Sequence, residues 1–195
     1  MEITDTTLII IGAVLALVIV VLAGMAISRW QRSKRLQDRF GPEYEYVVNE
    51  VGDRRQAESE LEQRIARADT LDIRALDQEE VNRYSLEWQA IQRQFVDQPR
   101  ASVEKADHLL REVMAAKGYA VDDFEQQTAD ISVAYPDLVN DYREMHLIAA
   151  RETNEELSTE DLRQAMVHGR ALFENLVRRD AKEEVDEKVT DKEKI

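Results

Sequence analysis

The chain has 195 residues, no cysteine and a formal net charge of −14. The lack of cysteine excludes disulfides, thiol catalysis and cysteine-based zinc sites, and the acidic balance argues against nucleic acid as a partner, because phosphate binding depends on lysine and arginine patches. Residues 1–39 carry a net charge of +2, so residues 40–195 carry −16. We therefore expect an acidic domain that stands away from negatively charged surfaces.

A short N-terminal tail, residues 1–5, precedes an uncharged run over residues 6–28. These 23 residues make a helix of roughly 34 Å, enough to cross a bilayer core of roughly 30 Å. Gly12 and Ala16 form a small-xxx-small step, which lets two membrane helices approach closely. We expect a transmembrane helix over 6–28, with a homo-oligomer formed through this segment as an open alternative to a monomer.

Basic residues follow this run, and we interpret residues 29–41 as a basic juxtamembrane linker. An indole suits the headgroup region, and long basic side chains reach outward from the hydrocarbon. The residues predicted at the membrane interface are therefore Arg29, Trp30, Arg32, Lys34 and Arg35. Short basic flanks tend to stay in the cytoplasm. We expect a single-pass protein with its N-terminus outside, its domain in the cytoplasm, and membrane lipids as one partner.

A cleaved signal peptide is the main alternative for the same segment. Small residues at Gly24 and Ala26 offer a cleavage site, but Glu2 and Asp5 replace the basic residues that usually open a signal peptide. The apolar run is also longer than is usual for a signal. We prefer the anchor, and the alternative is an exported or outward-facing envelope protein with a cleaved or uncleaved N-terminal signal.

Residues 42–179 are expected to form a helical soluble domain. Glycine and proline are scarce, and apolar residues follow a helical period almost throughout. This pattern predicts an all-α fold, in which one N-terminal transmembrane helix is followed by an irregular antiparallel bundle of four to six helices. Residues 180–195 are nearly all charged, and we expect them to form a disordered tail.

Individual signals place several of these helices. A long helix is predicted from Glu43, with a polar middle that weakens its core face. Asp77 and Glu80 form a capping box at a helix start. The best core stripe follows, at Val81, Tyr84, Trp88, Ile91 and Phe95. This helix is expected to stop near Pro99, because proline disfavours a helical conformation in the residue before it. A further helix is expected to end at Gly118, a typical C-cap residue.

Chemical signatures are scarce. Glu104, His108 and Glu112 lie four residues apart on one helical face and could in principle bind a cation, although a solvated surface is the simpler interpretation. The glycines are isolated, so no phosphate-binding loop is indicated. No serine lies in a glycine-framed turn of the kind that activates a nucleophile. We expect no catalytic residue, no cofactor and no metal.

Three strings in the domain resemble a family of uncharacterised bacterial proteins that have an N-terminal transmembrane segment and a helical soluble domain. The strings are LQDRFGPEYE, RYSLEWQAIQRQFVDQP and STEDLRQAMVHGRALFENL. The resemblance implies a bacterial source and an inner (plasma) membrane location, and it carries no activity or site. The anchor, the acidic domain and the lack of chemical signatures lead us to expect a membrane-anchored protein-protein interaction or scaffold module with an unidentified protein partner.

Overall fold

The structure is a computed structural model that describes the backbone of residues 2–120, 123–151 and 157–192, and the side chains of 15–120, 123–151 and 157–177. The described residues form eight helices and no strand, which confirms the all-α class. The helices are α1 Glu2–Phe40, α2 Pro42–Val51, α3 Arg54–Ala68, α4 Gln78–Gln94, α5 Pro99–Lys117, α6 Phe124–Ala134, α7 Val139–Ala150 and α8 Thr159–Lys192.

Helix α1 is long and apolar enough, by length and composition, to cross a membrane. Its described large apolar side chains from Leu15 to Ile27 are exposed, and none of them is buried in the domain. The helix continues without a break through the segment expected to be a linker, and it ends only at Phe40. Leu36 and Phe40 are buried. The end of α1 is therefore part of the folded domain rather than a flexible connection.

More helices follow α1 than the four to six expected, because the long helix predicted from Glu43 is divided into α2 and α3. Gly52 adopts a left-handed conformation at the C-cap of α2, with φ of 73°, which glycine tolerates without steric cost. The carboxylate of Asp53 then accepts a hydrogen bond from the backbone N–H of Gln56 and caps α3. One glycine and one capping aspartate thus turn the chain back on itself.

Several predicted boundaries are confirmed. Asp77 and Glu80 form the capping box at the start of α4, and the Arg74 guanidinium beside Glu80 holds the pKa of that carboxyl at about 2. Helix α4 ends before Pro99, and Gly118 ends α5. Helix α8 extends to Lys192, and the disordered tail expected from residue 180 stays a prediction, because its side chains lie outside the described residues.

Two apolar cores lie within the domain. The smaller core joins the end of α1 to α2 and α3 through Leu36, Phe40, Tyr44, Val47, Ala57 and Leu61. The larger core is built from α4 to α8, and the predicted stripe supplies Tyr84, Trp88 and Ile91 to it. Trp88 stacks on Phe173 of α8, with ring centroids 4.7 Å apart. The two cores meet where Val133 of α6 packs against the smaller one.

A buried carboxylate with two arginines joins the two cores. Glu43 of α2 is fully buried and accepts hydrogen bonds from Arg64 of α3 at 2.7 Å and from Arg143 of α7 at 2.7 Å. Burial lowers the pKa of Arg143, but the hydrogen bond to Glu43 and the attraction of nearby acidic groups, Glu43 first, together outweigh burial and raise the pKa above its ordinary value. Arg143 therefore stays charged, and loss of Glu43 would leave two arginines without their shared partner.

We expect Glu43→Ala to lower the free energy of unfolding by about 3 kcal/mol, because removing one partner leaves buried charges uncompensated. Glu62→Ala is the matched control, since Glu62 pairs with Arg32 on the surface and both side chains are nearly half exposed. Its cost is expected to stay below about 1 kcal/mol. Urea unfolding of the full chain in detergent measures the free energy of unfolding of both variants. Equal decreases in the two variants would contradict a structural role for the buried Glu43 group.

Candidate membrane-interface site

A cleft of about 460 Å³ lies beside α1 where its apolar stretch ends. Two helices line it, and the lining consists of four arginines, one carboxylate, one indole and one hydroxyl. Helix α1 contributes Arg29, Trp30, Arg32 and Ser33, and the first turns of α3 contribute Arg54, Arg55 and Glu58. The cleft is thus rich in positive charge, although the chain as a whole carries −14.

A polar cluster at the base of this cleft holds α3 against α1. The Ser33 hydroxyl donates to Glu58 Oε1 at 2.5 Å, and the Tyr44 hydroxyl donates to the same oxygen at 2.9 Å. Arg54 donates to Tyr44 Oη at 2.9 Å and also to the Ser33 hydroxyl. Three helices therefore converge on one carboxylate, which sets the distance between the two walls of the cleft.

The charge of Glu58 follows from these contacts. Burial alone raises the pKa of the Glu58 carboxyl, but hydrogen bonds from Ser33, Tyr44 and Arg54 outweigh burial and hold that pKa below its ordinary value. The hydrogen bond to Glu58 in turn raises the pKa of Arg54. Glu58 therefore stays anionic and compensates Arg54, whereas Arg29 and Arg55 line the same cleft without an ion pair to it.

The five residues predicted at the interface lie together at the end of the apolar stretch, and all are exposed. Arg29, Trp30 and Arg32 line the cleft, and Arg32 also forms an ion pair with Glu62. Lys34 and Arg35 lie outside the cleft lining. The Lys34 ammonium instead lies over the Trp30 ring, 5.5 Å from its centroid.

Sequence reasoning missed the second wall of the cleft. Arg54 and Arg55 stand in the hydrophilic stretch between two predicted core segments, where they resemble ordinary solvent-exposed residues. The adjacent arginines after the capping Asp53 are visible in the sequence. They become part of the cleft only because the turn at Gly52 brings α3 back toward α1, and sequence periodicity does not reveal that the two helices approach each other.

The candidate cation site on α5 is divided among separate ion pairs. Glu104 pairs with Arg100 at 3.3 Å, and His108 Nδ1 lies 3.5 Å from Glu112 with both side chains exposed. Among the residues that the structure describes, no group of three or more metal-binding side chains is close enough to hold a metal ion. Glu104, His108 and Glu112 therefore give no support to a metal function.

The two remaining histidines have acidic partners that sequence spacing did not reveal. His146 Nδ1 lies 2.9 Å from Asp107 Oδ1, and its ring stacks on Phe124 with centroids 3.8 Å apart. His168 Nδ1 lies 3.1 Å from Asp141. These contacts join α5, α6, α7 and α8, and they are explained by packing of the larger core.

The fold and the cleft define a class, namely an all-helical protein with one apolar N-terminal helix and an arginine-lined cleft at the end of its apolar stretch. Comparison with protein-family models, with curated proteins and with solved structures finds no match for the chain. The resemblance of its helical strings to a bacterial family therefore stays a prediction. Function has to be argued from the geometry of this chain alone.

The Glu58 cluster leads to a pH prediction. A carboxylate whose pKa is lowered in the folded state stabilises that state above its unfolded pKa, and the contribution is lost as the pH falls through the folded pKa. The stability difference between the native chain and Glu58→Gln is therefore expected to be constant above the ordinary pKa of 4.5 and to shrink below it. Urea unfolding of both proteins at successively lower pH measures this difference in stability. A difference that does not change with pH would contradict a stabilising role for the charged Glu58 carboxylate.

Proposed function

We propose that this protein is a single-pass membrane protein whose acidic helical domain binds another protein at the cytoplasmic surface of a bacterial inner (plasma) membrane. The domain acts by binding, as an interaction or scaffold module, and not as an enzyme. The observation that carries the proposal is the apolar stretch of α1, whose described large apolar side chains from Leu15 to Ile27 are exposed to solvent although burial would favour the folded state. A lipid bilayer supplies the apolar surroundings that the domain does not.

The orientation is supported by the charges on either side of the apolar run. Glu2 and Asp5 precede it, whereas five basic residues follow it within residues 29–39. Basic flanks tend to stay in the cytoplasm, so the domain lies on that side. Lys34 and Arg35 are exposed and do not line the cleft, so they are available to the lipid surface there.

Recruitment is the mechanism that the architecture supports. An anchor confines the domain to a surface and raises the local concentration of its partner without adding any contact. Because residues 40–195 carry −16, the partner is expected to present a basic surface. Such an interaction weakens with salt, since the screening length falls from about 10 Å at 0.1 M to about 3 Å at 1 M.

We expect the C-terminus to be inaccessible from outside the cell. A reporter is fused after residue 195 and protease is added to protoplasts, or to cells with a permeabilised outer membrane. Protection of the reporter until the inner membrane is lysed supports the proposal, and digestion in intact protoplasts contradicts it. The outward-facing alternative predicts digestion, and N-terminal sequencing that finds a chain beginning near residue 27 would identify a cleaved signal.

A matched variant separates the anchor from the domain. Replacing Leu17 and Val20 with arginine places two charges in the apolar run, where each costs about 2.5–3.5 kcal/mol at the helix centre, and leaves every described contact of the domain intact. The variant is expected to leave the membrane fraction and to lose crosslinks to the partner. Crosslinks that persist at native strength in the soluble fraction would contradict recruitment by the anchor.

A further inference from the structure

The arginines of the cleft are not all used by the fold. Arg32 pairs with Glu62 and Arg54 pairs with Glu58, whereas Arg29 and Arg55 form no ion pair with any other residue that the structure describes. Arg55 also stands in the first turn of α3, where the helix dipole adds positive potential. Two guanidinium groups with free donors therefore face one cleft in an otherwise acidic protein.

The position of the cleft along α1 determines which anions it can meet. Ser28 is the last residue of the uncharged run, so at about 1.5 Å per residue Trp30 lies roughly 3 Å beyond it and Ser33 roughly 8 Å beyond it. The headgroup region on each side of a bilayer core of roughly 30 Å is about 5–8 Å thick. The cleft therefore lies at the depth of the lipid phosphates.

The chemistry of the walls suits a phosphate. Guanidinium groups donate paired hydrogen bonds that match phosphate oxygens, and such charge-assisted bonds are strong. The cleft volume of about 460 Å³ exceeds the roughly 300 Å³ at which ligand pockets begin. Trp30 completes the rim with an amphipathic ring that prefers the interface.

We propose that this cleft binds the phosphate of an anionic lipid headgroup, so that the domain holds one lipid at a discrete site formed by α1 and α3. The inference rests on the membrane placement of the proposed function and deepens it, because it identifies the lipid class that the anchor recognises. A zwitterionic headgroup fits poorly, since its cationic amine would face the arginines. Free inorganic phosphate shares the anionic chemistry but lacks the acyl chains that deliver the headgroup to this depth.

The test is a titration of the full chain, purified in a neutral detergent, with bound molecules counted by native mass spectrometry. Short-chain phosphatidylglycerol, short-chain phosphatidylcholine and inorganic phosphate are compared. One phosphatidylglycerol is expected to bind per chain and to saturate, with the other two at least tenfold weaker. Inorganic phosphate binding as tightly as phosphatidylglycerol would overturn the headgroup assignment, and equal binding of the two lipids would overturn recognition of the anionic charge.

Two double variants distinguish a discrete site from diffuse charge. Arg29→Gln with Arg55→Gln removes the two unpaired cleft arginines and is expected to weaken phosphatidylglycerol binding roughly thirtyfold, at about fivefold per charge. Lys34→Gln with Arg35→Gln removes the same amount of charge from outside the cleft lining and is expected to weaken phosphatidylglycerol binding less than threefold. Equal losses would overturn the proposal, and circular dichroism checks that both variants keep their helix content.

The outcome is independent of topology. Because the titration is done in detergent, it does not depend on which side of the membrane carries the domain. A reporter digested in protoplasts would contradict the cytoplasmic function and leave the lipid site standing. Unchanged lipid binding in the Arg29→Gln, Arg55→Gln variant would contradict the proposed lipid site without bearing on the topology of the protein.

Discussion

The constraint on which the rest of the structure depends is that one helix, α1, carries both the apolar stretch and part of the domain core. Leu36 and Phe40 are buried with Tyr44 and Val47, and the helix has no break between them and Leu15. A helix that is apolar at one end and packed at the other transmits orientation as well as position. The unbroken helix therefore fixes the direction of the apolar stretch relative to the domain, and it brings Arg29 and Trp30 to the same cleft as the first turns of α3.

Two buried or half-buried carboxylates, Glu58 and Glu43, hold α1 and the domain together at different distances from the apolar stretch. Glu58 draws Ser33, Tyr44 and Arg54 together beside the apolar stretch, and Glu43 joins Arg64 to Arg143 farther into the domain. The first group fixes the walls of the cleft, and the second ties the smaller core to the larger one. Each carboxylate thus binds residues from more than one helix, and together the two groups join α1, α2, α3 and α7.

Sequence patterns predicted the features that depend on local chemistry. The all-α class follows from the helical period, the start of α4 from the capping box at Asp77, and the end of α5 from Gly118. The continuation of α1 was not predicted, because only Leu36 and Phe40 mark a core face within a basic stretch that resembles a linker. The approach of Arg55 to Arg29 was hidden as well, since it depends on how α3 folds back after Gly52.

The central claim is that the apolar stretch of α1 and the helical domain form one rigid unit. Because the chain has no cysteine, spin labels can be attached at Leu17→Cys in the apolar stretch of α1 and at Ser59→Cys on α3, both at exposed positions. Distance measurement by double electron-electron resonance on the reconstituted full chain tests the claim directly. A single distance distribution no wider than the spread of the label rotamers is the expected result. A broad or bimodal distribution would mean that α1 bends near residue 29, and it would contradict the account.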